Sequence, residues 1–312
     1  MKKALVTGGL GFIGSRLVEK LKKTCKVTVV DNLSSSRKDW LDVLDKNRDV
    51  EYMYTCHSDP KILKRIEDSE FDTIFHVAAI PRVAYSVEKP VETTESNVFR
   101  TIKLIDSARK GNISRLIFSS SSSVYGGAKT LPTPNNHPKD PKSPYAWQKS
   151  AVEDYIKMSC RLYDVDIVSL RYFNVFGPGQ FGGSAYATAI SAWCHAIKNS
   201  SSLRSDGTGE QSRDMCYVDN VVNANLLAAN SKKSFKGECY NVACGDKVSN
   251  NEILEFLEKK FGSLNIEKAP FRTGDVMHTK ADISATVRDL DYKPKVSFWD
   301  GLDRTLSWWN LT

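Results

Sequence analysis

The stretch Thr7-Gly8-Gly9-Leu10-Gly11-Phe12-Ile13-Gly14 decides the fold. It joins a β-rich run, Lys3–Thr7, to the segment Phe12–Lys23, whose Phe12, Ile13, Leu17, Val18 and Leu21 recur at helical spacing. Gly8 permits a tight turn, Gly11 lets the backbone approach a pyrophosphate, and Gly14 allows close packing of helix on strand. The start of the following helix offers free N–H groups and the positive end of its dipole. Gly8, Gly11, Phe12 and Ile13 are therefore the candidate phosphate contacts. Glycine turns also occur without a ligand, but here strand and helix flank the turn as a dinucleotide site requires.

Working outward, the first half of the chain alternates. Val27–Val30 and Val50–Thr55 read as strands, Ile62–Ile66 as a helix and Thr73–Val77 as a strand. Val91–Arg109 reads as a long helix, Arg115–Ser119 as a strand, Tyr145–Leu162 as a helix and Ile167–Tyr172 as a strand. Strands separated by helices imply parallel pairing through right-handed crossovers, hence a doubly wound α/β Rossmann sheet. After residue 174 the rhythm breaks. Gly177-Pro178-Gly179 and Gly182-Gly183 mark loops, and the polar stretch Asn199–Gly209 reads as another. Glu238–Ala243 reads as a strand that returns to the main sheet, Glu252–Phe261 as a helix, and Phe298–Trp309 as an amphipathic tail. The expected division is a dinucleotide-binding domain over 1–174, rejoined by 221–244, and a smaller α/β substrate-binding domain from 175–220 and 245–312.

Composition narrows the class. With 312 residues, 41% hydrophobic and 26% charged, the chain is too apolar for disorder and large enough to bury a sizeable core. The seven cysteines are odd in number and form no C-x-x-C pair, so reduced thiols in a cytoplasmic protein are expected, with no metal site. The apolar run at Met1–Thr7 is too short for a signal peptide, and no stretch approaches a membrane span. The net charge of +7 is diffuse and points to anions without choosing among them.

Three further features carry chemistry. Asp31 ends the second strand about 20 residues past the glycines, where a carboxylate can hold the ribose hydroxyls of NAD and repel the phosphate of NADP. Tyr145-Ala146-Trp147-Gln148-Lys149 places a tyrosine and a lysine on one helix face. A nearby ammonium favours the phenolate and is expected to move the tyrosine pKa toward neutrality. The serine run Ser119–Ser123 lies at a strand's carboxyl end, where open α/β sheets bind ligands. His76 reads as a buried structural imidazole, having no ligand-spaced partners.

Taken together, Thr7–Gly14, Val30–Ser35, His76–Ala79, Asn97, Ser119–Gly126, Tyr145–Lys149, Arg171–Pro178, Arg213–Val218 and Arg272–Val276 resemble the extended short-chain dehydrogenase/reductases. Within these the chain is similar to the NAD-dependent sugar epimerase/dehydratase family, over nearly its whole length. The resemblance implies NAD as cofactor and a catalytic set of Ser121, Tyr145 and Lys149. It implies cofactor contacts at Asn32, Ser34, Ser35, His57, Ala78, Ala79, Asn97 and Tyr172 besides those above. It implies nucleotide-sugar contacts at Ser86, Ser121, Ser122, Asn174, Ala187, Thr188, Arg213, Arg272 and Asp275. Dehydratases of the family carry Thr-Asp-Glu where this chain has Ser121-Ser122-Ser123, and the related decarboxylases keep a Glu before the V-Y-G motif. Lacking both carboxylates, the chain is expected to catalyse epimerisation at C4 of a UDP-hexose. A bulky tyrosine at the position of Thr279 excludes acetamido sugars in the family, so Thr279 favours UDP-GlcNAc/UDP-GalNAc, with UDP-Glc/UDP-Gal accepted. Pro81-Arg82 puts a cation near the sugar and keeps UDP-glucuronate open. Cys56 stands where the family has an Asp that touches adenine, which shifts that contact onto neighbouring backbone. A homodimer through Val91–Arg109 and Tyr145–Leu162 is implied, without nucleic acid or membrane partners.

Overall fold

The computed structural model describes residues 1–34, 50–183, 187–271 and 276–311. Its centre is a seven-stranded parallel sheet built from β1 (Lys3–Thr7), β2 (Lys26–Val30), β3 (Val50–Met53), β4 (Thr73–His76), β5 (Arg115–Ser121), β6 (Ile167–Tyr172) and a returning strand, Lys236–Val242. From one edge the order is Lys236–Val242, β6, β5, β4, β1, β2, β3. The order reverses between β1 and β4, and a doubly wound sheet opens its ligand crevice at that switch. Alternate side chains face opposite layers: Ala4 and Val6 pack with Leu17, Val18 and Leu21, while Leu5 packs with Ile74, Leu104 and Leu116. Burial on both faces explains the unbroken apolar runs in these strands.

The helices follow from their patterning and caps. In α1 (Phe12–Leu21) the buried Gly14, Leu17, Val18 and Leu21 form one stripe. On the opposite face lie α2 (Pro60–Glu67), α3 (Val83–Glu88), α4 (Pro90–Thr94) and α5 (Arg100–Lys110). The expected helix over Val91–Arg109 is there but is not regular, because Glu95–Phe99 forms a π-helical turn between α4 and α5. α6 (Pro144–Tyr163) begins with Pro144 at its first position and the Ser143 hydroxyl accepting the Ala146 N–H at 3.2 Å.

Beyond β6 the chain builds a second, smaller core from short pieces. β7 (Val175–Phe176), α7 (Ala189–Lys198), β8 (Leu203–Asp206), β9 (Ser212–Arg213) and β10 (Cys216–Tyr217) precede α8 (Val218–Asn230). The returning strand is β11 (Lys236–Val242), parallel to β6 as expected. Then come β12 (Val248–Ser249), α9 (Asn250–Phe261), β13 (Ile266–Ala269), α10 (Ser284–Leu290) and α11 (Phe298–Trp308). Phe176, Trp193, Leu203, Leu254, Phe298 and Leu302 form the heart of this core. One expectation is corrected here. The stretch Asn199–Gly209 is not all loop, because β8 pairs in parallel with β13. Its polar sequence hides the strand, which the Trp193 indole pins by donating to the Arg204 carbonyl at 2.8 Å.

Candidate active site

The site opens at the carboxyl ends of β1, β2, β4, β5 and β6 as a cleft of about 670 Å³. At its floor, Gly8 turns with φ +69°, in the left-handed region, and its N–H donates to the Val30 carbonyl at 2.8 Å. A Cβ on Gly14 would collide with the Gly8 carbonyl oxygen. Gly14 thus lets α1 close on the residue that follows β1 and keeps the turn tight. Gly11 caps α1 without any side-chain hydrogen bond, so the first N–H groups of the helix remain for an anion.

Asp31 is buried beside this turn. One carboxylate oxygen accepts the Leu10 N–H at 3.0 Å and the other the Leu33 N–H at 2.8 Å, and the residue lines the cleft with Asn32 and Ser34. Farther along, Cys56 and His57 line the same cleft, and Arg100 reaches it and donates to the Cys56 Sγ at 3.5 Å. Burial, then the positive charges of Arg100 and Lys149, pushes His57 down to about 4, so its ring is neutral. Its buried Nε2 has no hydrogen-bond partner among the described residues. His76 is structural: it bridges Thr7 Oγ1 at 2.7 Å and Thr101 Oγ1 at 2.9 Å. Among the described residues no cluster of His, Cys, Asp and Glu is arranged to hold a metal.

On the other wall β5 delivers its serines to α6. Lys149 Nζ donates to the Ser119 carbonyl at 2.8 Å. Tyr145, on the same face of α6, is buried with the Ser121 side chain near its phenol, and its main-chain N–H donates to Ser86 Oγ at 3.1 Å. The Ser121 hydroxyl also accepts the Ser123 N–H at 3.2 Å. Burial pushes the Tyr145 phenol up to about 12, and the Ser121 side chain only moderates this. Burial pulls Lys149 down to about 7, with the Glu153 carboxylate resisting. The expected drop of the tyrosine pKa toward neutrality is therefore not found: burial raises it instead. Burial dominates the phenol, and Lys149 is itself pulled down to about 7.

The remaining expected residues divide. Gly8, Gly11, Phe12, Ile13, Ala78, Ala79, Tyr172, Asn174, Ala187 and Thr188 line the cleft. Tyr172 shares its hydroxyl with Ser119 Oγ at 2.9 Å and the Asn225 amide. Asn97 works through the backbone: it accepts the Ile80 N–H at 2.8 Å and donates to the Ile80 carbonyl at 3.1 Å, fixing the loop after β4. Ser86 is fully buried, committed to Tyr145 and to the Val83 carbonyl. Ser122 is half-buried in the short 3₁₀ turn Ser122–Tyr125. Thr279 stands behind Asn174, its hydroxyl accepting the Asn174 amide at 3.4 Å and the Asp214 N–H at 3.1 Å. Arg213 donates to the Ser212 and Met277 carbonyls. Ser35, Arg272 and Asp275 lie outside the described residues.

Residues that the sequence reading passed over also shape the site. Glu153 follows Lys149 by one more helical turn and is 3% exposed. Arg171 on β6 meets it with two hydrogen bonds, of 2.8 and 2.7 Å. The third member of the i, i+4, i+8 series Tyr145, Lys149, Glu153 was a usable signal. Asp214 holds the second core to the sheet, its carboxylate accepting the N–H groups of Cys244, Gly245 and Ala281 at 2.9–3.0 Å. Burial raises it to about 6 in spite of these bonds.

An uncapped helix start, a carboxylate at the end of β2 and, farther along the same cleft, a buried imidazole nitrogen unpartnered among the described residues fit a dinucleotide. A family model described as NAD dependent epimerase/dehydratase matches residues 4–243. The chain belongs to that family. NAD is its cofactor, and it is an enzyme of the nucleotide-sugar 4-epimerase/dehydratase group. A solved UDP-N-acetylglucosamine 4-epimerase from Methanobrevibacter ruminantium, in complex with UDP-N-acetylmuramic acid, is 37% identical with a TM-score of 0.92, covering 99% of this chain and 98% of its own. A UDP-glucose 4-epimerase from Thermotoga maritima, solved with UDP-glucose, is 32% identical with a TM-score of 0.91, covering 99% and 98%. A UDP-glucuronate 4-epimerase from Thermodesulfobacterium geofontis is 32% identical over 97% of this chain and 95% of its own length. As a family member, the chain has the seven-stranded parallel Rossmann sheet of its solved epimerase relatives.

Proposed function

We propose that the chain interconverts UDP-hexoses by inversion at C4, with UDP-GlcNAc/UDP-GalNAc preferred and UDP-Glc/UDP-Gal accepted. The observation that carries the reaction type is the serine run. Beside Tyr145 stand Ser121, Ser122 and Ser123, hydroxyls that bind a sugar oxygen but cannot protonate a departing hydroxide as a carboxylic acid would. In this reading Tyr145 takes the proton from O4, Ser121 holds O4, and Lys149 stabilises the phenolate. NAD, when bound, would supply the reversible hydride acceptor for C4. The Lys149 ammonium works against the desolvation that keeps the Tyr145 phenol protonated. The 4-keto sugar has to rotate between the two transfers, which favours a loosely held hexose and a tightly held UDP. Asn174, Ala187 and Thr188, with Arg213, Arg272 and Asp275, are assigned to the UDP. The division into 1–174 with 221–244 and 175–220 with 245–312 belongs to the same reading: one body holds NAD, the other UDP.

The acetamido preference rests on Thr279. The test is a panel of UDP-sugars with products resolved by NMR. C4 epimers are expected, and Tyr145→Phe should remove turnover while NAD still binds. A 4-keto-6-deoxy product from the wild type would make the protein a dehydratase instead. Thr279→Tyr should suppress the acetamido pair, and unchanged acetamido turnover would end that preference. One observation favours a second reading: Arg82 lines the cleft, where a guanidinium suits a uronate carboxylate, so UDP-glucuronate belongs in the panel. A homodimer is also proposed, since Val87, Val91, Phe99, Trp147 and Leu162 on α3–α6 and the π turn are all at least half exposed. Sedimentation of the purified protein as a monomer would remove it.

A further inference from the structure

The three consecutive serines that end β5 each reach a different group. The Ser119 carbonyl takes Lys149, the Ser120 hydroxyl donates to a Glu153 carboxylate oxygen at 2.6 Å, and the Ser121 hydroxyl meets Tyr145. Glu153 is one turn of α6 beyond Lys149, and its oxygens are taken by Ser120 and the Arg171 fork. Arg171 continues inward. It donates to the Tyr125 hydroxyl at 2.7 Å and to the Asn135 carbonyl at 2.8 Å. Tyr125 in turn donates to Asn241 on β11 at 2.6 Å, and the Asn241 amide donates to the carbonyls of Thr133 and Asp282. One buried chain thus runs from the serines through α6, β6 and β11 to the segment leading into α10.

We infer that the buried Glu153–Arg171 pair is a positioning device for the active site, anchoring the serine turn through Ser120 and supplying the counter-charge that keeps Lys149 an ammonium. This rests on the C4-epimerase reading for its kinetic consequence but not for its electrostatic one. A structural pair needs only to fill its space, and two apolar side chains do that equally well or better. An ion pair placed one helical turn from a buried lysine, with a hydroxyl tie to the neighbour of Ser121, acts on the chemistry as well.

The surroundings support the assignment. Facing Lys149 are the Phe118 ring at 4.7 Å, the Tyr145 ring at 5.8 Å, and neutral His57 and His76. Of these and Glu153, only Glu153 offers a negative charge, and it is the group that holds the lysine pKa up against burial. Facing Glu153 are Arg171 from β6, Lys139 at 3.8 Å from the segment before α6, the Tyr125 phenol, and the Cys239 thiol of β11. Burial raises both Tyr125 and Cys239, the latter to about 12, so neither competes as an anion near neutrality.

The test titrates the free protein carrying ¹³C-labelled lysine and follows the Lys149 ε-carbon by NMR, with Lys149→Arg assigning the signal. The wild-type midpoint is expected near 7, the value set by burial and Glu153 together. Glu153→Gln keeps the shape and removes the charge, and should lower that midpoint by about one unit. Where substrate turns over, the alkaline limb of kcat should move to lower pH by a similar amount. Ser120→Ala cuts the tie and leaves the charge, so the Lys149 midpoint should stay while kcat falls about tenfold. If Glu153→Gln does not fold, Arg171→Gln removes the guanidinium that offsets the carboxylate, which keeps Ser120 and Lys139 as partners, and the Lys149 midpoint should instead rise. An unmoved midpoint in a folded charge variant overturns the counter-charge. Wild-type turnover in Ser120→Ala overturns the anchor. An absence of epimerase activity in the wild type would remove the C4-epimerase reading while leaving the NMR result to stand or fall alone.

Discussion

The two halves of the cleft are built by different means. On the NAD side, one turn of eight residues carries the machinery, and its parts are backbone: the Gly8 conformation, the closeness of Gly14 to Gly8, and the bare start of α1. On the side assigned to UDP, the wall is assembled from two-residue strands and from side chains that reach back to main chain. Asp214 gathers three amides from two segments, Thr279 supports Asn174, and Arg213 bonds to carbonyls. A backbone device depends on local sequence and tolerates change around it. A device made of long-range side-chain bonds shifts with any of its members, which suits a wall that must admit different sugars in different relatives.

The contrast can be broken most decisively at Gly14. Gly14→Val drives a side chain into the Gly8 carbonyl, and NAD affinity measured by calorimetry should fall at least about a hundredfold. Near-native affinity would show that the turn is not held by that contact. Asp214→Ala comes next. Three buried amides lose their acceptor, so chemical denaturation should show a loss of ~2–4 kcal/mol. If the halves are built separately, UDP affinity drops while NAD affinity stays within about twofold. Equal losses on both sides would erase the distinction. The smallest effect, one on stability, belongs to Lys149, where the halves meet. A lysine whose folded pKa lies near 7 and whose unfolded value is near 10.5 opposes folding most when charged, below about 7, and not at all above its unfolded value. Lys149→Met should therefore stabilise the protein by ~1–3 kcal/mol at pH 6, with the gain fading as pH rises toward 10. A loss of stability at pH 6 would mean that the buried ammonium is well accommodated.

The same contrast explains what could be read in advance. The strands of the sheet, α1 and the return of β11 were legible because burial on two faces leaves unbroken apolar runs, and because glycine spacing is a local rule. Asp31, Tyr145 and Lys149 were legible by their distance from those landmarks. The strand β8 was not, since Ser-Ser-Ser-Leu-Arg-Ser-Asp acquires its ladder only from β13, some sixty residues away. For Ser86 and Asn97 the sequence could not show their bonds within the fold: Ser86 holds the start of α6, and Asn97 ties the loop after β4 to Gln148 of α6. The high pKa of Tyr145 was misread because spacing reveals a neighbouring charge and is silent on desolvation.

The π turn at Glu95–Phe99 has a consequence for register. The inward residues of this stretch, Thr93, Asn97, Thr101 and Ile105, repeat every four positions and are all buried. On a regular α-helix such a repeat drifts by about 40° per step, or about 120° from Thr93 to Ile105. The one-residue slip of a π turn takes back about 100° of that drift, so all four can face the same interior. The turn is a phase corrector: delete a single residue from it, and either the clamp on Ile80 or the seat of α5 on the sheet must point at solvent.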